Sequence, residues 1–395
     1  MKTILDAAGS GRRSALFALS VLWLSTALLT ACSSGSGPTS ISSTRTPKPT
    51  FTVPLETPTQ MPTATPKPTA TTVPSPTPTV NPYWNPLTGQ TVTDTALLQR
   101  RPLLVRIGND PEIRPQSGLS QADMVFEEAI EEFTGTRFTA VIWSRDPEVL
   151  RPVRSARLLT IQLGYMFDGA LVHSGANDQV RWLISQTTLT DLDQYFHDAS
   201  YTKFYASIPP EPTDAWKDFK WMGHVATYPK KIHDYLVQKG KEKAVHLDGF
   251  TFSESIAAGA PATYVHIPWP KRYVVEYRYD AEQHLYKRFV REEPHTDRIN
   301  GQQLAAANVI IHYARYEQQE VTDANGMHTF DITVTGEGRA QIFRDGLMIE
   351  AKWVRPNKED FVKYLYPDGS AVPLRPGQTW VEVVPPEYEV TYKAE

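Results

Sequence analysis

The chain has 395 residues, 32 prolines, a formal net charge of −4 and one cysteine, Cys32. A lone cysteine excludes an internal disulfide and a multi-thiolate metal site, and once it is used at the N-terminus no thiolate nucleophile remains. Residues 1–32 carry +2 and the next 48 another +2, which leaves −8 on the remainder and argues against nucleic-acid binding.

In chain order, Lys2, Arg12 and Arg13 form a positive start, followed by an uncharged apolar run from Ala15 to Ala31. That is the layout of a secretory signal, and the run is short for a membrane span, which needs about 20 residues. It ends Leu29-Thr30-Ala31-Cys32, a lipobox, so residues 1–32 are expected to be a lipoprotein signal peptide with lipidation at Cys32. The membrane is then the first partner, held through two or three acyl chains because one chain binds only marginally. The expected location is the extracytoplasmic face of the cell membrane. Residues 33–80 are almost entirely Pro, Thr and Ser, with repeats such as Thr65-Pro66-Lys67-Pro68-Thr69. Such a segment buries too little to fold and tends to polyproline II, which makes it a spacer reaching up to roughly 150 Å at about 3.1 Å per residue.

From residue 81 the composition becomes that of a folded protein, long enough for two domains, 81–260 and 261–395. Leu103–Ile107 and Thr139–Trp143 are of strand length and rich in β-formers. Ser120–Glu127 reads either as a helix start or as a turn into a strand, while Glu127, Glu128, Glu131 and Glu132 fall at helical spacing. Ala156–Phe167 carries two adjacent apolar helical rows, with Ser155 as its expected N-cap. Ala170–His173 reads as a buried strand, and Tyr228–Gln238 as another helix. Beyond Pro270 the pattern becomes period two. Tyr273–Tyr279 and Leu285–Val290 form one expected hairpin, and Arg339–Arg344 and Leu347–Trp353 another across Asp345-Gly346, whose residue types suit a type I′ turn. Lys363–Tyr366 and Ala371–Leu374 repeat the arrangement across Asp368-Gly369, before a last strand, Trp380–Val384. The expected class is α+β, an N-terminal mixed α/β domain followed by a mainly antiparallel β domain.

No nucleophile elbow, phosphate loop or zinc-protease motif is present, and the ten histidines lack metal-ligand spacing, so neither metal nor cofactor is expected. One segment breaks local rules: Arg151, Arg154 and Arg157 converge on a helix start, where the helix dipole already disfavours cations. An anion held by Arg154, Ser155 and Arg157, with Arg114 and Arg137 nearby, would explain this. Internal pairing with Glu127, Glu128, Glu131 and Glu132 would explain it equally. Glu127, His173 and His224 are the candidates for proton transfer. His173 precedes the loop Ser174-Gly175-Ala176-Asn177, where α/β sheets present site residues.

At these motifs the chain resembles the YerB-like lipoproteins, extracytoplasmic proteins with paired N- and C-terminal domains. The matching stretches are Asn85–Gly89, Arg114–Asp123, Thr136–Phe138 and Pro152–Arg157. In the second half they are His295–Asp297, Asn308–Ile311, Gly336–Gly338 and Gly377–Trp380. The resemblance implies the two-domain layout and the lipoprotein location, and supplies no reaction. Two departures are Glu132–Gly135, where relatives are richer in glycine, and His224-Val225, where they tend to have His-Asn. The function expected first is capture of an anionic cell-wall molecule or other envelope partner through Arg114, Arg137, Arg154, Ser155 and Arg157. The competing one is a cell-wall hydrolase or transferase using the His/Glu set.

Overall fold

The computed structural model describes residues 83–197, 203–208, 223–255, 258–323 and 325–395. The expected signal peptide, Cys32 and the spacer lie outside these residues. In chain order the elements that position the site are β1 (Leu103–Gly108), β2 (Met124–Ala129), β3 (Thr136–Ile142), α1 (Leu158–Phe167), β4 (Ala170–His173), α2 (Asp178–Ser185), β5 (Thr190–Asp193) and α3 (Pro229–Gln238). They are followed by β6 (Tyr264–Ile267), β7 (Val275–Asp280), β8 (Leu285–Val290), β9 (Asn308–Tyr313), β10 (Arg315–Thr322), β11 (His328–Thr333), β12 (Gly336–Arg344), β13 (Leu347–Arg355), β14 (Lys363–Leu365) and β15 (Thr379–Val384).

The class is α+β, as the sequence predicts. Among the described residues eleven strands form the central sheet, in the order β14-β13-β12-β9-β15-β2-β3-β1-β4-β5, with Ala260–Pro261 beside β13. Strands from both sequence segments share this sheet, and the junction is a parallel pair, β2 with β15, in which Glu127 is opposite Glu382. β15 also runs parallel to β9, a departure from the antiparallel hairpins that dominate the second half. Because β3 runs against both β1 and β2, the strands β1, β2, β4, β5 and β15 all point the same way.

Alternation along the strands assigns the two faces. Val105, Val125, Phe138 and Trp380 face a layer shared with Val265, Tyr277 and Tyr286 of the second, six-stranded sheet around β6, β7 and β8. Leu104, Phe126, Val141 and Leu171 face the opposite way, onto Leu159, Leu163 and Phe167 of α1. Each such fully buried side chain contributes roughly 1.5–3 kcal/mol over exposure. The turn at Asp345-Gly346 has φ of +53° and +72°, the double positive φ that a type I′ hairpin needs.

Two local expectations are corrected. Ser155 does not cap α1; Arg157 occupies the N-cap, two residues further on. The acidic run is not helical, since Glu127 and Glu128 are on β2 and point to opposite faces, while Glu131 opens a short 3-10 turn.

Candidate functional site

The strand ends explain where a cleft forms. Asp110 follows β1, Glu131 follows β2, Ser174 and Gly175 follow β4, and Gln194 and Tyr195 follow β5, so one set of carboxyl ends converges on a cleft of about 770 Å³. Crevices outside the carboxyl ends of parallel strands are where open α/β sheets bind ligands. The N-termini of α1 and α2 open into the same space, with Arg157, Asn177 and Asp178 on its wall. The far wall comes from the β10–β11 hairpin, whose tip contributes Asp323, Asn325 and Met327. That hairpin is docked by Phe133, stacked on Tyr316 and tilted against Phe330, and by the Gln162 amide of α1 donating to Ile332 O at 2.6 Å.

Four of the five expected ligand-binding residues meet here: Arg137, Arg154, Ser155 and Arg157. Arg181, which the sequence analysis does not single out, joins them. The α1 terminus is chemically unusual. An arginine side chain has only donors, so Arg157 cannot cap the first-turn N–H groups as Ser, Asp or Asn would. Thr160 instead bonds back to the Arg157 amide at 3.0 Å. The Thr160 N–H turns back to Arg157 O at 3.0 Å, and the dipole leaves a positive terminus behind Arg157 on the cleft wall. Asn177 caps α2 conventionally, accepting from Val180 N at 2.8 Å.

The internal-pairing reading is realised in part. Arg157 pairs with Glu131, as that reading expects, but the partners of Glu127 and Glu128 are Arg288 and Arg106. Arg137 and Arg154 instead share Asp110 loosely, at 3.9 and 3.8 Å. Arg137 is 3% exposed, and its Nε has no hydrogen-bond partner among the described residues. Burial, with the nearby charges of Arg154 and Arg157, pulls its pKa down to about 9. It stays charged at neutral pH, against its surroundings. Arg114 does not join this group. Its guanidinium bonds Asn109 at 2.9 and 2.8 Å, lies 5.3 Å from the Tyr273 ring centre, and edges a separate recess with His295.

The proton-transfer candidates are dispersed. His173 is fully buried, its Nδ1 2.9 Å from Gly175 O and its Nε2 2.7 Å from Asp191 Oδ1. Glu127 faces the layer between the two sheets, where it pairs with Arg288 and accepts from Thr136 and Asn109. His224 is near Ser207, at 3.4 Å. None of the three lines the cleft, and Glu127 and His173 are on opposite faces of the sheet.

The other recurring motifs hold the two halves together. Asp297 accepts from the Gly118 and Ser120 amides and the Ser120 hydroxyl, at 2.8–3.1 Å. His295 bonds Gln116 at 2.7 Å, and the Gln378 amide donates to Leu119 O and Ala122 O. Within the first half, Asp123 gathers Asn85, Trp143 N and Ser144. Burial and the charges of Arg288 and Arg114 hold His295 well below the usual histidine range, so it is neutral and can accept from Arg288.

Fold and site define an α+β protein with a mixed central sheet, α1 and α2 on one face, a second sheet and α3 on the other and an arginine-lined cleft at the strand ends. The chain belongs to the DUF3048 family. Residues 87–221 match "Protein of unknown function (DUF3048) N-terminal domain", and residues 265–381 match its C-terminal counterpart. It is 32% identical over 305 residues to "Putative lipoprotein YerB" of Bacillus subtilis, covering 76% of this chain and 86% of that one. The crystal structure of the Bacillus subtilis YerB protein superposes with a TM-score of 0.65 at 27% identity, covering 78% of this chain and 99% of the other.

Proposed function

We propose that this protein is a lipoprotein that captures an anionic cell-envelope ligand in the cleft at the N-terminus of α1. Kinship with YerB supports the lipoprotein part. The lipobox at Cys32 supports lipid anchoring on the extracytoplasmic face. The observation that carries the binding reading is Arg137: buried, charged, lining the cleft, with its Nε unanswered. A buried guanidinium without a full set of acceptors is costly, and an anion entering between it, Arg154 and the α1 terminus would supply them. Helix termini and arginine forks reinforce one another at such sites.

The test is thermal unfolding of the full chain at low ionic strength with rising inorganic phosphate. Saturation to 100 times Kd stabilises by about 2.7 kcal/mol, a rise of several degrees that potassium chloride at matched ionic strength does not reproduce. Arg154→Gln should fold normally and lose most of the rise. No rise in the parent, or the same rise in the variant, overturns the reading.

A further inference from the structure

We infer that the cleft takes an anionic sugar, a polyhydroxylated ring bearing a carboxylate or a phosphate. This deepens the anion-binding reading and rests on it. The cleft contains more than a bare anion needs. Tyr195 is on its wall yet is 67% exposed, and the adjoining Phe196 is 70% exposed. Tyr195 is nevertheless fixed in place. One carboxylate oxygen of Asp193 accepts from the amides of both Gly175 and Tyr195, at 2.8 and 3.0 Å. The Arg181 guanidinium is 4.8 Å from the Tyr195 ring centre. The ring edge also closes over Gly175, where φ is +75° and any Cβ would come within 2.9 Å of Tyr195 Cε2.

A rigid, exposed aromatic costs little entropy to use and offers its ring to an apolar C–H face. Around it the lining is rich in neutral amides and hydroxyls: Ser155, Ser174, Asn177, Gln194 and Asn325. Such groups both donate and accept, which matches a ring of hydroxyls and is wasted on a simple oxyanion. Arg181, beside Tyr195, pairs with Asp193 at 3.4 Å, whereas Arg137, Arg154 and Arg157 form one cationic group around Asp110 and Glu131. A single acidic substituent there would place the sugar ring toward Tyr195. The volume, about 770 Å³, is within the range of small-molecule sites and exceeds what an isolated phosphate fills.

The test is competition by ligand-observed NMR on the full chain. The probes are glucose 6-phosphate and glucuronic acid, against inorganic phosphate, acetate, glucose and adenosine monophosphate. Each anionic sugar should bind at least tenfold more tightly than its bare anion and than glucose; the tighter of the two identifies the acidic group. Tyr195→Ala, checked for an unchanged melting temperature, should lose that tenfold advantage and keep the affinity for inorganic phosphate. Arg154→Gln should weaken every anion. Anionic sugars no tighter than bare anions, an unaffected Tyr195→Ala, or a preference for the nucleotide would overturn the sugar assignment while leaving the anion site standing. Failure of inorganic phosphate itself to bind would instead remove the anion reading on which this one rests.

Discussion

Arg288→Met tests the claim that Glu127 serves the fold. Both side chains are fully buried and ion-paired between the two sheets. The guanidinium also lies 4.7 Å from the Trp380 ring centre and 5.4 Å from that of Phe138. Methionine keeps the apolar stem and removes the charge, so Glu127 is left as a buried carboxylate with only Thr136 and Asn109 to answer it, at 2.5 and 3.1 Å. Breaking a buried pair from one side costs about 3–5 kcal/mol, a large part of the roughly 5–15 kcal/mol that holds a domain folded. Glu127→Gln in the same chain removes the stranded charge and keeps an oxygen for Thr136. The double variant should therefore recover to within about 2 kcal/mol of the parent. Urea unfolding followed by tryptophan fluorescence reads this directly, since Trp269 and Trp380 border the cluster. A single variant within about 1 kcal/mol of the parent, or a double variant no better than the single, would refute the structural role and reopen Glu127 as a reactive group.

Glu382 is a titrating group in the same layer. Burial, with the neighbouring Glu127, raises its pKa to about 8, so the folded chain keeps a proton that the unfolded chain releases near 4.5. Stability relative to Glu382→Gln should then fall as pH rises from about 5 to 8 and level off above; a gap that stays constant with pH contradicts this. Asp123→Ala strips acceptors from Asn85, the Trp143 and Ser144 amides and the Ser144 hydroxyl, and should cost about 3–5 kcal/mol in chemical denaturation. A loss below about 1 kcal/mol would mean that water replaces those bonds. Glu131→Gln frees Arg157 of its internal counter-ion and should tighten inorganic phosphate binding several-fold at low salt, an effect calorimetry would see shrink as salt rises. Unchanged or weaker binding would show that Glu131 is not competing with the ligand.

Short-range physics made much of the fold legible. The strands at Leu103–Gly108 and Ala170–His173 follow from compact apolar runs, α1 from its two adjacent apolar rows, and the β12–β13 hairpin from Asp345-Gly346. The arginines before α1 were legible for another reason: they violate a local preference, and cations at a helix start call for an anion. The acidic run was misleading because helical spacing is also satisfied by a strand followed by a turn. The actual partner of Glu127 is 161 residues away. Likewise Arg181, Tyr195 and the β10–β11 tip carry no local signal. They become one cleft because parallel strands bring distant carboxyl ends to one edge of the sheet, and because Phe133 and Gln162 dock the β10–β11 hairpin beside it.

By itself, then, the sequence determined the α+β class, the principal elements, the lipobox and the arginines of a helix start, all of which depend on residues close along the chain. Tertiary structure decided which acids neutralise which arginines, and that Arg114 stays apart. It also decided that Gln116, His295, Asp297 and Gln378 bind the two halves together instead of forming a site. Ion pairs and hydrogen bonds depend on through-space distance, and only the closed fold sets it.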